Sequence, residues 1–167
     1  MKTDKTVDEI VDALELKPHP EGGYYRETYR SKNKVKGAGD EMRSAGTAIY
    51  FLLPSKVCTN WHRVSSDELW HFYEGDDLVL EIIDEQGKFK RHKMGNAISE
   101  ATTFQRLVPA SCWQRAYGIG TFSLLGCTVS PAFEFENFEM IAPSELAGQH
   151  QDLAQKILFD PFYESKE

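Results

Sequence analysis

From Ala48 to Ile141 the chain runs as short apolar stretches broken by Gly, Pro, Asp and Ser, with no helical period between them. The stretches 48–53, 57–64, 68–74, 78–83, 88–93, 104–108, 112–117 and 122–129 each read as a strand. Asp84-Glu85-Gln86-Gly87 has the composition of a hairpin turn between two of them. Strands that follow one another without an intervening helix cannot build parallel crossover units, so the pattern points to an antiparallel sandwich or barrel.

The flanks differ. Thr6 and Glu9 stand at capping-box spacing, and Val7, Ile10, Val11 and Leu14 form one apolar helical face before Pro18 and Pro20. His19-Pro20-Glu21-Gly22-Gly23 reads as a turn leading into a strand, Tyr24 to Arg30. Residues 31–46, rich in Lys, Gly and Ser, read as a mobile surface loop or lid. Phe133, Phe135 and Phe138 alternate with glutamates in a segment expected to lie extended over the core with its carboxylates in water. Leu153 and Ile157 mark a C-terminal helical face, and 160–167 reads as a frayed tail. No linker divides the 167 residues, so one domain is expected over 1–167: a helix to 18, a barrel over 19–141, then a helical tail.

Charge narrows the partners. A net charge of −7 makes nucleic acid and anionic membranes poor partners, and no apolar run approaches a membrane span. The N-terminal stretch, with Asp4, Asp8, Glu9 and Asp12, does not read as a signal peptide. Cys58, Cys112 and Cys127 are odd in number and scattered, which fits reduced thiols in a cytoplasmic protein.

The chemistry concentrates between Trp61 and Gly75. By strand alternation, His62 shares a face with Val64, and Glu68 shares one with Trp70 and Phe72. The opposite face, with Trp61, Leu69, His71 and Tyr73, is apolar enough to expect a cover, such as a second subunit. His62, Glu68 and Gly75 fall where the first signature of the cupin superfamily has its first histidine, its glutamate and its closing glycine; Val64 stands at the second histidine. Pro109, Ser111 and Gln114 fall at the proline, glycine and histidine of the second signature. Together with His19-Pro20-Glu21-Gly22-Gly23, Ser66 to Tyr73, Val108-Pro109-Ala110, Trp113-Gln114 and Gly126 to Pro131, these residues resemble the cupin-5 family, also called DUF985. That resemblance implies a double-stranded β-helix, or jelly roll, and a homodimer; it implies no settled reaction.

Three readings of the constellation stand open. In the first, His62 and Glu68 are an acid–base pair for isomerase or epimerase chemistry on a small metabolite, sugar- or nucleotide-like, with Gln114 orienting it. Tyr24, Tyr25 or Tyr50 would supply a second proton, and Trp70, Phe72, Tyr50, Trp113 and Tyr24 would wall the ligand. In the second, His62, Glu68 and Gln114 hold a divalent transition metal for oxygenase or decarboxylase chemistry. In the third, the polar residues satisfy one another in a non-catalytic binding or sensory barrel. Cys112 is expected near the pocket by parity with Gln114, and His71 away from it.

Overall fold

The computed structural model describes residues 5–37, 39–96 and 102–163. The chain begins with α1 (Val7–Leu14), whose N-terminus carries the expected reciprocal cap between Thr6 and Glu9. There follow β1 (Lys17–Pro18), β2 (Tyr24–Arg30), β3 (Lys34–Lys36), β4 (Met42–Ser44) and β5 (Thr47–Pro54). Next come β6 (His62–Val64), β7 (Asp67–Gly75), β8 (Leu78–Ile83), β9 (Phe89–Met94), β10 (Thr102–Thr103) and β11 (Gln105–Val108). The strands end with β12 (Trp113–Gly118), β13 (Phe122–Ser130) and β14 (Phe138–Met140), and the chain closes on α2 (Pro143–Gln149) and α3 (Ala154–Ile157).

Two six-stranded sheets, ordered β1-β2-β5-β13-β7-β11 and β10-β9-β8-β12-β6-β14, face each other across a common interior. This is a barrel of the kind the strand pattern predicts, and the jelly roll that the family resemblance implies. The hairpin at 84–87 forms as expected: the amide of Gly87 donates to the carbonyl of Asp84, and Gly87 takes a positive φ that favours glycine there.

Inward side chains grade from large to small along the first sheet. At one end Leu53, Phe51, Leu125, Phe72 and Trp70 meet Leu78, Leu80 and Met94 of the second sheet in a filled core. Towards the other end the cross-strand partners become Ile49 with Cys127 and Thr47 with Val129, beside Glu68. Shorter side chains there cannot meet across the barrel, and the interior opens.

The outer surface of the second sheet is covered from within the chain. Trp61, Ile83 and Trp113 pack against Leu146, Leu153 and Ile157 of the C-terminal helical segment. Arg115 fixes that segment: its guanidinium donates to the carbonyls of Lys156 and Ile157 while its Nε donates to buried Glu81. Trp61, expected to meet a cover outside the chain, is therefore buried by the chain's own C-terminal helices. On the first sheet, α1 plays the equivalent part, setting Ile10 and Leu16 against Leu52 and Phe122.

Two expectations are corrected in detail. The segment 31–46 contains a hairpin, β3 with β4, in place of a loop; Arg43 and Ser44 are buried, and the Arg43 guanidinium reaches the hydroxyl of Ser65 and the carbonyl of Ala132. Ala38, at the tip of that stretch, and 164–167 of the expected frayed tail lie outside the described residues. The strand expected over 57–64 shortens to His62–Val64, because Val57 to Trp61 makes only a single bridge, Cys58 to Tyr117.

Ile157, fully buried between Trp61 and Ile83, anchors the C-terminal cover. Ile157→Ala is expected to lower stability by about 2–5 kcal/mol, measured by urea denaturation, through lost transfer energy and the cavity left behind.

Candidate functional site

The open end of the barrel holds a cavity of about 410 Å³. Its floor is polar: His19, Glu21, His62, Glu68 and Cys127. Aromatic side chains make its wall, with Tyr25 and Phe51 on one side and Phe133, Phe135 and Phe138 on the other. Lys17, Glu27, Arg30 and Glu134 stand nearer its mouth. A shift in register between Glu27 and Tyr29 re-aims β2, so that Glu27 and Arg30 both reach the mouth and pair at 2.9 Å.

Each floor residue is placed by identifiable local chemistry. The carbonyl of His19 accepts from the amide of Gly22, and the amide of His19 donates to the carbonyl of Gly23, closing a tight turn. Both glycines take positive φ, which an ordinary residue there would resist. That turn directs Glu21 inward, and the amide of Asn60 fastens it by donating to the Glu21 carbonyl at 2.7 Å. His62 enters from β6, where it pairs with Gln114 on one side and Met140 on the other. Glu68 and Cys127 enter from β7 and β13.

Hydrogen bonds set the polarity of the floor. The carbonyl of Asn60, an acceptor only, lies 2.8 Å from His62 Nδ1, so that nitrogen carries a proton and Nε2 faces Glu21 Oε2 at 3.1 Å. Nδ1 of His19 accepts the backbone N–H of Glu21 at 3.2 Å and so presents a lone pair. The environment of Glu68 is opposite. The Trp70 indole, a donor only, holds the Gln114 amide oxygen at 3.0 Å, which turns the Gln114 amide nitrogen towards Glu68 Oε2 at 2.6 Å. The thiol of Cys127 also faces Glu68.

Burial moves every titration on this floor. It lowers His62 to about 4, against the raising effect of its bond to Asn60, and lowers His19 to about 4 with help from the neighbouring His62. Glu21 is held well above the ordinary carboxylate range by burial and then by the charge of Glu68. Glu68 is raised by burial, an effect opposed by its bond from Gln114 and by its polar neighbours Cys127 and Trp70. Cys127 is pushed well up, first by burial.

Among the residues expected at the site, His62 and Glu68 line the cavity together. Gln114 does not line it: with 0 % exposure, it lies behind Glu68 and orients that carboxyl. Trp70 and Phe72 share Glu68's face, yet they sit deeper, in the filled core. Trp113 points to the other side of its sheet, under the C-terminal helices. Tyr50 also points outwards, with its ring near that of Tyr73 and its place in the cluster under α1 that includes Leu52. Tyr24 faces a second, more open depression, and Tyr25 is the tyrosine of that strand that lines the cavity. Cys112 lies in the core rather than at the pocket, and His71 lies off the cavity, bonded to Thr128 and Gln105, as expected.

Four parts of the site escaped the sequence reading: His19, Glu21, Cys127 and the aromatic wall of Phe133, Phe135 and Phe138. The paired glycines after Glu21 were a usable signal, because such a turn can aim one side chain sharply inwards.

As metal donors, His62, Glu68 and Gln114 do not fit. The Gln114 amide is committed to Trp70 and Glu68 behind the cavity, and Val64 lines the wall where cupins can carry a further histidine. Among the described residues, no group of three His, Cys, Asp or Glu side chains is spaced to hold a metal ion.

Two sheets, antiparallel except for the short β9–β10 pair and closed around a cavity at one end, define a cupin-type barrel. The family model described as Cupin superfamily (DUF985) matches residues 8–141, and the chain belongs to that family. A hypothetical protein from Leishmania major is similar in structure at a TM-score of 0.86 and 31% identity, covering 92% of this chain and 97% of that one. A protein from Shewanella oneidensis is similar at a TM-score of 0.79 and 34% identity, with the same coverage of each chain. Oxalate decarboxylase from Bacillus subtilis shares the fold alone, at a TM-score of 0.55 and 13% identity over 88% of this chain and 37% of that one. No curated protein matches the chain in sequence. Among the described residues, no helix is long and apolar enough to cross a membrane.

The raised titration of Glu21 sets a pH signature. In the unfolded chain the carboxyl titrates near 4.5, and in the folded protein well above it. The folded state then binds more protons over that window, so Glu21's contribution is full below about 4.5 and is lost as pH rises through the folded value. Urea denaturation of wild type and Glu21→Gln at pH 4.5 and pH 8 is expected to show the variant gaining relative stability at the higher pH.

Proposed function

We propose that the protein binds a small polar metabolite with a sugar-like or planar ring in this cavity and moves a proton at a carbon next to a carbonyl, as an isomerase or epimerase does. The observation that carries this reading is the contact between Glu21 and His62 on the cavity floor, beside a second carboxyl, Glu68. Burial of acidic and imidazole groups in one cleft, with their titrations pushed apart, is how proteins prepare proton donors and acceptors for neutral pH. The cavity volume lies in the range of small-molecule sites. Phe133, Phe135 and Phe138 offer apolar faces against which a ring can lie. The metal-dependent reading, with His62, Glu68 and Gln114 as donors, has no comparable observation behind it.

A homodimer is proposed alongside. Leu107 and Phe104 are exposed at and beside β11, the edge strand of its sheet, and Tyr73 is exposed on neighbouring β7. Light scattering is the measurement for this.

The test of function is proton exchange in D₂O, followed by proton NMR, with a panel of aldoses, ketoses, their phosphates and nucleotide sugars. The expected result is deuterium entering one panel compound next to its carbonyl, slowed about 10²-fold or more by His62→Gln. Phe138→Ala is expected to reduce the thermal shift that the same compound produces on the protein. Thermal shifts without any exchange would support a binding barrel without catalysis.

A further inference from the structure

Within the acid–base reading just given, on which this step rests, the hydrogen bonds distinguish the two buried carboxyls. Glu21 faces acceptors: His62 Nε2, whose partner nitrogen is committed to Asn60, and His19 Nδ1, already occupied as an acceptor. Glu68 faces donors: the amide of Gln114 and the thiol of Cys127. A carboxyl among acceptors must bring a proton, and a carboxyl among donors is satisfied as the anion. The orientation at Glu68 is not arbitrary, because the Trp70 indole can only donate and so decides which end of the Gln114 amide meets the carboxylate.

We propose that Glu21 is the catalytic proton donor and Glu68 the catalytic base, and that the substrate is an α-hydroxycarbonyl compound isomerised between two adjacent carbons. Glu68 takes the proton from the carbon bearing the hydroxyl. The C–H electron pair forms the new C=C bond, the carbonyl π pair moves to oxygen, and that oxygen takes the Glu21 proton. The enediol then collapses: the former carbonyl carbon receives the proton now on Glu68, and the hydroxyl of the first carbon becomes the carbonyl as its proton returns to Glu21. Both carboxyls regain their starting states, and no outside reagent is consumed. Removing the proton from Glu21 leaves its carboxylate against the bare Nε2 of His62, so the return of the proton is favoured. A single base returns the proton to the face from which it came, which selects isomerisation over inversion at one carbon. The other titratable groups facing this floor or its mouth are His19, His62, Tyr25, Cys127, Glu27 and Glu134, with Lys17, Arg26 and Arg30.

Thermal denaturation at pH 7.5 of Glu21→Gln and Glu68→Gln reads the assignment without a substrate. In Glu21→Gln the new amide can still donate to His62, so Tm is expected to stay within about 2 °C of wild type or to rise. In Glu68→Gln one of the two acceptor oxygens facing Gln114 and Cys127 becomes an N–H donor, so one of these donors loses its acceptor and Tm is expected to fall by roughly 5 °C or more. The reverse order would overturn the assignment. If either variant fails to fold, nitrogen-15 NMR of histidine-labelled wild type decides: His62 protonated at Nδ1 alone is expected, and a doubly protonated imidazolium beside Glu21 would overturn it. In the exchange assay, using dihydroxyacetone phosphate and D-fructose 6-phosphate among the probes, each variant is expected to lose about 10²-fold or more in rate. A Glu21→Gln variant exchanging at the wild-type rate would sink Glu21 as donor. Wild type that exchanges none of the panel would instead overturn the catalytic reading and the step above, leaving only the placement of the proton to the first two measurements.

Discussion

The site depends on one constraint: a buried polar atom must find a partner of the opposite kind. On the cavity floor that requirement runs through a chain of fixed polarities. The Trp70 indole donates to Gln114, whose amide donates to Glu68; His62 donates to the Asn60 carbonyl and so offers its other nitrogen to Glu21. With His62 held neutral by burial, neither carboxyl can change its proton state without leaving a donor facing a donor or an acceptor facing an acceptor. The cost of such a mismatch in a buried place is about 1–3 kcal/mol, enough to bias a proton strongly towards one residue.

The barrel supplies the burial that gives this constraint its force. Side chains taper along the first sheet from Phe51, Leu125 and Phe72 to Thr47, Val129 and Cys127, so the interior is solid at one end and hollow at the other. His62 sits on the short strand β6, which has little ladder of its own. It is steadied by β12 and β14 on either side and by Trp61, whose indole donates to the Ile157 carbonyl of the C-terminal cover. The helical segment thereby holds a floor residue in place without touching the cavity.

The run of strands and the cap on α1 were legible because both are written locally: short apolar stretches ended by Gly or Pro, alternate residues in β7, and the Thr6–Glu9 spacing. His62 and Glu68 were legible for the same reason, reinforced by their likeness to a cupin signature. Parity alone could not show how far along the barrel a residue lies, and Trp70 and Phe72 share a face with Glu68 yet close the core below it. Nor could it place residues outside regular strands. Glu21 owes its direction to a turn of two glycines, and Phe133 and Phe135 owe theirs to a segment folded back over the opening. Gln114 was placed near the correct partners but in the wrong layer, because whether it touches the cavity depends on Glu68 standing between.

Neutron diffraction from crystals grown in D₂O near neutral pH measures the central claim most directly. A deuteron bound to Glu21 Oε2 and directed at a bare His62 Nε2, with deuterium on His62 Nδ1 and none on the Glu68 carboxylate, is the predicted result. Deuterium on a Glu68 oxygen, or a bare Nδ1 on His62, would contradict it.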